Sequence, residues 1–466
     1  MKKVVVISNR VMLPTKKKPE AAGGLAVALL DTLQETSGIW FGWSGDITSN
    51  KDIKPVVKKD KGITFATVDL VKKDYENYYN GYCNEVLWPI FHYRLDLVNY
   101  TKMKFESYTR VNNSFALTIK SLLGNEDLIW VHDYHFLLIA RELRKLKCTQ
   151  KIGFFLHIPW PSKEILTALP DHRELVDALL DYDLIGFQTK NHVLTFLDYI
   201  ISELKGSVEP DGSVFALGKK SKVKHFPISI DTNKIINIAE ETDSSPQVER
   251  LVKSIKTNKL IVGVDRLDYT KGLENRFVAY NHLLTNHSEH IRSTTFLQVA
   301  PTSRGSVFQY KEIRKKLELT AGKINSAYGD FDWTPIRYLN KGYQQKTLMG
   351  FFRHSRVGLV TPLRDGMNLV AKEYIASQRL SDPGVLILSR FAGAAEELTD
   401  ALIVNPHDPE GVANALNHAL KMPKKERIRR WLNAVDQLHS FNITVWRTHY
   451  IEALETAITS SPNRHK

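Results

Sequence analysis

Two cations five residues apart, Arg266 and Lys271, close a short apolar run in the segment Asp265-Arg266-Leu267-Asp268-Tyr269-Thr270-Lys271-Gly272. A bidentate guanidinium and a point-charge ammonium on one turn suit two adjacent phosphates. The plainer reading is a pair of surface cations partnered by Asp265 and Asp268. A second segment, Gly366-Met367-Asn368-Leu369-Val370-Ala371-Lys372-Glu373, follows a turn and opens an amphipathic helix. Its first free N–H groups and the positive end of its dipole suit a diphosphate, and Glu373, one turn further in, is placed to accept hydrogen bonds from ribose hydroxyls. The pair Gly23-Gly24 before Leu25 offers either another anion site at a helix start or a plain turn. The loop from Arg10 through Lys16-Lys17-Lys18 is long and basic enough for a flap over a phosphate.

Such groups need a scaffold, and the apolar runs supply one. Segments rich in Val, Ile, Leu and Phe at 4–8, 63–68, 128–132, 152–157, 184–188 and 223–228 read as strands, as do 260–264, 295–300, 336–339, 357–361, 385–389 and 402–405. Helix-length amphipathic stretches separate them, the pattern of parallel strands buried on both faces. Each half therefore reads as a doubly wound α/β domain. A polar stretch, Glu240-Glu241-Thr242-Asp243-Ser244-Ser245-Pro246, suggests a boundary that divides the chain into 1–235 and 236–466. The stretch 424–458 reads as one or two helices, the last of which, about 440–458, is expected to cross back to the first domain.

Ligands of open α/β sheets bind outside the carboxyl ends of the strands, so the residues after each run carry the functional information. In the first half these are Asn9-Arg10, His132-Asp133-Tyr134-His135 and His157-Ile158-Pro159. In the second they are the Arg266 and Lys271 segment, Pro301-Thr302-Ser303-Arg304-Gly305, and Pro362-Leu363-Arg364-Asp365-Gly366-Met367-Asn368. Cationic rims on two facing domains describe a cleft for a phosphorylated or diphosphate ligand. Asp181-Tyr182-Asp183 and Asp330-Phe331-Asp332 match a carboxylate metal motif, but both precede an apolar run and so fall at the wrong end of a sheet. His132, Asp133 and His135 lack helical ligand spacing, and hydrogen bonding is the better reading of them.

Composition narrows the class. The 466 residues include 64 Lys or Arg against 51 Asp or Glu, a formal charge of +13, with 43% hydrophobic residues, which excludes a disordered or collagen-like chain. No apolar run approaches the roughly 20 residues that span a bilayer, so a soluble, unexported protein is expected. Cys83 and Cys148, the two cysteines, fit neither a disulfide framework nor a zinc site, and a reducing cytoplasm is expected. The basic clusters are scattered and are not interleaved with aromatics, which disfavours nucleic acid as the partner.

With these residues in view, the chain resembles the trehalose-6-phosphate synthases over nearly its whole length. The matching stretches include Ser8-Asn9-Arg10, Gly23-Gly24-Leu25, Trp40-Phe41-Gly42-Trp43-Ser44-Gly45, Leu87-Trp88-Pro89, His132-Asp133-Tyr134-His135 and Phe154-Phe155-Leu156-His157-Ile158-Pro159. They continue through the Arg266 and Lys271 segment, Ala300-Pro301-Thr302-Ser303-Arg304-Gly305 and Leu363-Arg364-Asp365-Gly366-Met367-Asn368-Leu369-Val370. The resemblance implies a retaining, metal-independent glucosyltransferase with two facing Rossmann-like domains, the GT-B arrangement. It would pass glucose from a nucleotide sugar, UDP-glucose first among the candidates, to glucose 6-phosphate, giving α,α-trehalose 6-phosphate. It further implies that Arg10, Tyr79, Trp88 and Arg304 clamp the acceptor phosphate while Asp133 touches acceptor hydroxyls. Arg266 and Lys271 would grip the diphosphate. His157, Asp365 and the backbone of Gly366, Met367, Asn368, Leu369 and Val370 would hold donor glucose and diphosphate, with Gly23 and Gly24 beside them. Glu373 would meet the ribose and Arg337 the nucleotide. Arg266, Lys271, Asp133 and His157 form the expected catalytic group.

No cofactor is expected, because the nucleotide sugar is a substrate. Neither a membrane nor a nucleic acid is expected as partner, and proteins of this plan commonly form homo-oligomers. The family's proposed route to retention is front-face attack. The basic flap and the two-domain plan further lead to the expectation that the cleft closes on both substrates and excludes water. Trp160 stands where the family pattern has phenylalanine. Alternatives stay open: a pseudo-glycosyltransferase coupling a cyclitol nucleotide to an aminocyclitol phosphate, or a catalytically silent sugar-phosphate sensor. The donor base, uridine, guanosine or adenosine, is also open.

Overall fold

The computed structural model describes residues 2–11, 24–50, 54–255, 259–302 and 308–457. They divide into two compact units, one of Met1–Pro227 with Thr444–Lys466 and the other of Ile228–Ile443. The division falls ahead of the 235/236 boundary drawn from the polar stretch, for a local reason. Asp231 caps the helix Thr232–Glu241 by accepting from the Lys234 N–H, and Thr232 Oγ1 donates to the Leu438 carbonyl at 2.9 Å, which ties that helix to the second unit. The polar stretch is the turn between it and the helix Pro246–Ile255.

The first unit is built on a sheet of ten strands among the described residues: β1 (Val4–Arg10), β2 (Ile39–Thr48), β3 (Val56–Asp60), β4 (Ile63–Val71), β5 (Leu128–His132), β6 (Lys151–Phe155), β7 (Leu184–Phe187), β8 (Ser207–Val208), β9 (Ser213–Ala216) and β10 (Lys219–His225). Their order is β3-β4-β2-β1-β5-β6-β7-β10-β9-β8. From β4 to β10 every neighbouring pair is parallel, and antiparallel strands finish both edges. Val4 to Ile7 and Leu128 to Val131 are at most 1% exposed, as strands covered on both faces require. Two sequence expectations shift here. The strand expected at 223–228 is Lys219–His225, drawn back by its antiparallel pairing with β9, and β6 ends at Phe155, which leaves His157 in the following loop. The strands β2, β3, β8 and β9 were not anticipated.

The second unit holds β11 (Lys259–Val264), β12 (Thr294–Val299), β13 (Ile336–Leu339), β14 (Val357–Val360), β15 (Val385–Ser389) and β16 (Leu402–Val404), all parallel, in the order β13-β12-β11-β14-β15-β16. Leu273, Phe277, Tyr280 and Leu284 on the helix Leu273–Asn286 pack with Phe296, Leu359 and Leu416 into its core.

The two final helices are Lys424–Ser440 and Ile443–Thr456. The last of these packs on the first unit. Tyr450, fully buried, stacks on Trp130 at 4.5 Å and meets Phe155 and Phe226 edge-on, while Trp446 Nε1 donates to the Phe226 carbonyl at 3.2 Å. Cys83 and Cys148 are buried free thiols, and no described helix is long and apolar enough to cross a membrane. The Tyr450→Ala variant is expected to lose about 3–5 kcal/mol of unfolding free energy, read from urea unfolding followed by tryptophan fluorescence, because the cavity opens beneath three rings of the first unit.

Candidate functional site

Both sheets reverse their winding, and each reversal falls where the polar strand ends collect. In the first unit β4-β2-β1-β5-β6-β7 repeats the doubly wound order, so the reversal lies between β1 and β5. In the second it lies between β11 and β14. Arg10 ends β1 and Asp133 follows β5, while Arg266 and Lys271 follow β11 and Asp365 to Asn368 follow β14.

At the first reversal Arg10 is exposed, with its guanidinium 5.6 Å from the Trp43 ring centroid. Gly45 makes room for it: a Cβ there would come within 2.1 Å of an Arg10 nitrogen, and its φ of +99° is a conformation that side chains disfavour. From Trp43 a run of ring contacts passes to Tyr79 at 5.3 Å, His135 at 6.1 Å, Tyr134 at 4.1 Å and Trp88 at 5.9 Å. Arg10, Tyr79 and Trp88 thus share one aromatic rim. Tyr79 sits on the wide-wound helix Tyr75–Leu87, a form often found at functional sites.

Asp133 anchors the middle of this rim at φ 75° and ψ 166°, a region that nearly always belongs to glycine. Its N–H donates to the Phe155 carbonyl at 2.8 Å, and its Oδ1 accepts from the His157 N–H at 3.3 Å. His157 Nε2 in turn shares a hydrogen bond with His132 Nδ1 at 3.0 Å. Burial holds the His157 imidazole down at about 3 and, together with the neighbouring His157, pushes His132 well below its usual range. Both rings are therefore neutral at pH 7, one donating and one accepting. His132 is the positioning residue of this pair, and its buried place against Trp130, at 4.6 Å, fixes it there. Trp160 fills a pocket of Phe91, Phe187 and Phe196 in the core behind these loops.

At the second reversal the anticipated partners are otherwise engaged. Asp265 pairs with Arg276 at 2.7 Å, both at most 3% exposed, and Asp268 accepts from the Thr270 N–H at 3.0 Å and from the Tyr310 hydroxyl at 3.0 Å. Neither neutralises Arg266 or Lys271. Arg266 is exposed and makes no ion pair among the described residues. Lys271 Nζ donates to Asp365 Oδ2 at 2.5 Å, and Asn368 Nδ2 donates to the same oxygen at 3.0 Å. Asn368, at φ 90° and ψ 89°, caps the helix Leu369–Ser377 by accepting from the Ala371 N–H at 3.1 Å. Gly366, Met367, Leu369 and Val370 surround that cap, with the Met367 carbonyl accepting from the Ala394 N–H at 2.9 Å.

One turn on, Glu373 accepts from Gln345 Nε2 at 2.9 Å, and burial raises its carboxyl to about 7. Arg337, within β13, donates to the Ser254 carbonyl at 2.9 Å. Gly24 is the first residue of the helix Gly24–Glu35, whereas Gly23, Arg304 and Lys16 to Lys18 lie outside the described residues. The Asp-x-Asp motifs are consumed by ion pairs: Asp181 with Lys219 at 2.8 Å, Asp183 with Arg144 at 2.7 Å, and Asp330 and Asp332 with Arg292.

One positioning residue, Arg276, carries no strand-end signal in the sequence. Arg276 Nε donates to Thr361 Oγ1 at 3.0 Å and its Nη2 to the Lys271 carbonyl at 3.2 Å, so one buried guanidinium joins the loop after β11 to the end of β14. Its signal was a lone charge on the apolar stripe of Leu273, Phe277, Tyr280 and Leu284. Gly272 admits that loop: its φ is +62°, and a Cβ would stand 2.5 Å from the Thr361 carbonyl oxygen. The partner of His132 across the sheet, His157, has no signature in the residue spacing.

The family model for glycosyltransferase family 20 matches residues 2–456. A trehalose-6-phosphate synthase of Salmonella choleraesuis (strain SC-B67) is 48% identical over 467 residues, covering 100% of this chain and 98% of the relative. The crystal structure of a UDP-forming α,α-trehalose-phosphate synthase from Burkholderia xenovorans in complex with glucose-6-phosphate superposes with a TM-score of 0.93 at 45% identity, covering 97% of this chain and 100% of that one. An E. coli trehalose-6-phosphate structure bound with UDP-2-fluoro glucose gives a TM-score of 0.93 at 46% identity, covering 98% and 100%. The two parallel α/β units thus have the GT-B type of architecture.

The raised Glu373 carboxyl has a measurable signature. Folded chain holds this proton more tightly than unfolded chain, so its contribution is complete below the ordinary value of 4.5 and is lost as pH rises to about 7. Glu373→Gln should match the parent's melting temperature near pH 4.5 and exceed it by a few degrees above pH 7. Parallel melting curves across that range would contradict the assignment.

Proposed function

The chain belongs to glycosyltransferase family 20, and from that premise we propose that it transfers glucose from UDP-glucose to glucose 6-phosphate with retention, giving α,α-trehalose 6-phosphate and UDP. The observation that carries this reading is the match at 48% identity, end to end, to a trehalose-6-phosphate synthase, in a chain whose strand-end residues have the required chemistry. Solved relatives with glucose-6-phosphate and with UDP-2-fluoro glucose support both substrates, and with them a uridine donor.

In the transfer the bond from the sugar C1 to the diphosphate oxygen breaks and a bond from C1 to the acceptor hydroxyl oxygen forms. The acceptor's proton leaves with the departing phosphate. Negative charge grows on that phosphate, so the decisive groups are donors already in place there. Arg266, Lys271 and the N–H groups at the start of Leu369–Ser377 fill this role. Asp365, holding Lys271 and Asn368, serves as an orienting acceptor for the sugar and the ammonium. Asp133 and His157 take sugar hydroxyls, and the His132 contact sets which His157 nitrogen carries the proton. Arg10, Tyr79, Trp88 and Arg304 hold the acceptor phosphate. The reading calls for no metal, since cations of the chain take the leaving-group charge, and the reducing cytoplasm, where phosphorylated sugars and free thiols coexist, is its location.

Incubating the chain with UDP-glucose and glucose 6-phosphate in the presence of a chelator should yield the disaccharide phosphate and UDP. No product with any nucleotide-glucose would refute the reading. Within that assay Arg266→Ala is expected to lower kcat by about 10²–10³-fold. Arg10→Ala should raise KM for glucose 6-phosphate by about 10–100-fold while UDP affinity stays unchanged. An equal loss of both affinities would overturn the division of labour between the two units.

A further inference from the structure

At the amino ends of the second unit's strands lies a cavity of about 330 Å³ lined by Lys259, Arg353, His354, Arg356, Arg379 and Asp382. Lys259 opens β11 and Arg356 immediately precedes β14, whereas Arg266, Lys271 and Asp365 follow the opposite ends of the same strands. A strand of six residues rises about 20 Å, so the cavity is separate from the strand-end site.

Its charges do not balance. Asp382 accepts from Arg356, at 3.2 and 2.9 Å in a bidentate grip, and also from the buried Arg427 at 2.7 Å. Asp243 is shared among Arg379 at 2.8 Å, His354 at 2.7 Å and, more distantly, Arg353 at 3.6 Å. Among the described residues Glu240 pairs only with Arg353, at 3.9 Å. Lys259 Nζ has a backbone partner, the Leu420 carbonyl at 2.8 Å, and no carboxylate among the described residues. Asp382 and Asp243 thus each serve two or more cations, and the buried Nε of Arg353 lacks a hydrogen-bond partner among the described residues. The crowding shows in the lysine: burial, then Arg356 and Arg427, lowers its affinity for a proton. Gathering like charges in a half-buried recess works against stability, so the fold alone gives no reason for it.

We infer that this recess binds a phosphorylated small-molecule anion at a second site on the unit, away from the transfer chemistry. Arg356 and Arg379, held in orientation by Asp382 and Asp243, present their outer N–H groups to phosphate oxygens, and Lys259 supplies a point charge. The recess can take a pyrophosphate group or a sugar phosphate.

Pyrophosphate is the probe, titrated calorimetrically into the full chain with saturating UDP present to shield Arg266 and Lys271. One pyrophosphate should bind per chain, and Arg379→Gln and Arg356→Gln should each weaken it at least tenfold, with the transferase rate in the absence of pyrophosphate unchanged. Should Arg356→Gln fail to fold, Arg379→Gln, on the loop after Leu369–Ser377, still decides the matter. No binding under UDP, or binding that Arg379→Gln leaves intact, overturns the inference. A chain that binds pyrophosphate through Arg379 yet makes no disaccharide phosphate would instead break the proposed function and leave this site standing.

Discussion

A parallel sheet that winds helices onto one face and then onto the other must reverse somewhere, and at the reversal two neighbouring strands end with their crossovers leaving in opposite directions. No helix can roof that gap, so it opens to ligands, and the loops beside it are free to carry polar residues. Both units obey this constraint with the same strand order. In the first the gap lies between β1 and β5 and receives Arg10 and Asp133, and in the second it lies between β11 and β14 and receives Lys271 and Asp365. Candidate site residues far apart in sequence, such as Lys271 and Asp365, meet at 2.5 Å because the sheet brings these strand ends together.

Open loops need bracing, and each unit meets the need differently. In the second, Arg276 and Asp265 form a buried ion pair whose remaining guanidinium N–H groups fasten Thr361 and the Lys271 carbonyl. Burying both charges is costly, and the hydrogen bonds to both loops recover part of that cost while fixing their relation. In the first unit the brace is aromatic. The helix Ile443–Thr456 sets Tyr450 on Trp130, Trp130 lies against His132, and His132 holds His157. Residues far along the chain thereby hold the angle of His157, a candidate sugar contact. The strain at Asp133 and Asn368, of order 1–3 kcal/mol each, persists because these surroundings over-determine both backbones.

The doubly wound class and twelve of the strands were legible because buried parallel strands repeat a simple chemical pattern. Arg10, Asp133, Lys271 and Asp365 were legible because polar residues at strand ends break that pattern. What stayed hidden depended on partners supplied by folding. β2 escaped because Gly42, Ser44 and Gly45 interrupt its apolar run, although Trp40, Phe41 and Trp43 are buried. The edge strand β3, Val56–Asp60, has every residue exposed and only two apolar positions, too few to stand out. The polar turn at 240–246 looked like a boundary because loops between domains and loops between helices share composition. The tie from Arg337 to the Ser254 carbonyl stayed hidden because sequence position does not reveal which residue of another element receives a guanidinium.

The two cations with which the sequence reading began end in different electrostatic states, and the difference is instructive. Lys271 is satisfied before any ligand arrives, sharing Asp365 with Asn368, so a diphosphate reaching it meets an ammonium already oriented and only partly available. Arg266 has no described counter-ion and is exposed, which makes it the cheaper group to recruit: no existing ion pair must break for it to meet a phosphate. A bound diphosphate would complete the neutralisation of both, and the growing charge of a departing one would strengthen its hold on the arginine and draw the lysine from its carboxylate. A site with both cations paired would spend part of that attraction undoing contacts, and one with neither paired would have to order the lysine on binding. The observed mixture keeps one cation fixed and one ready, which suits a group that must bind the donor moderately and its leaving phosphate more tightly.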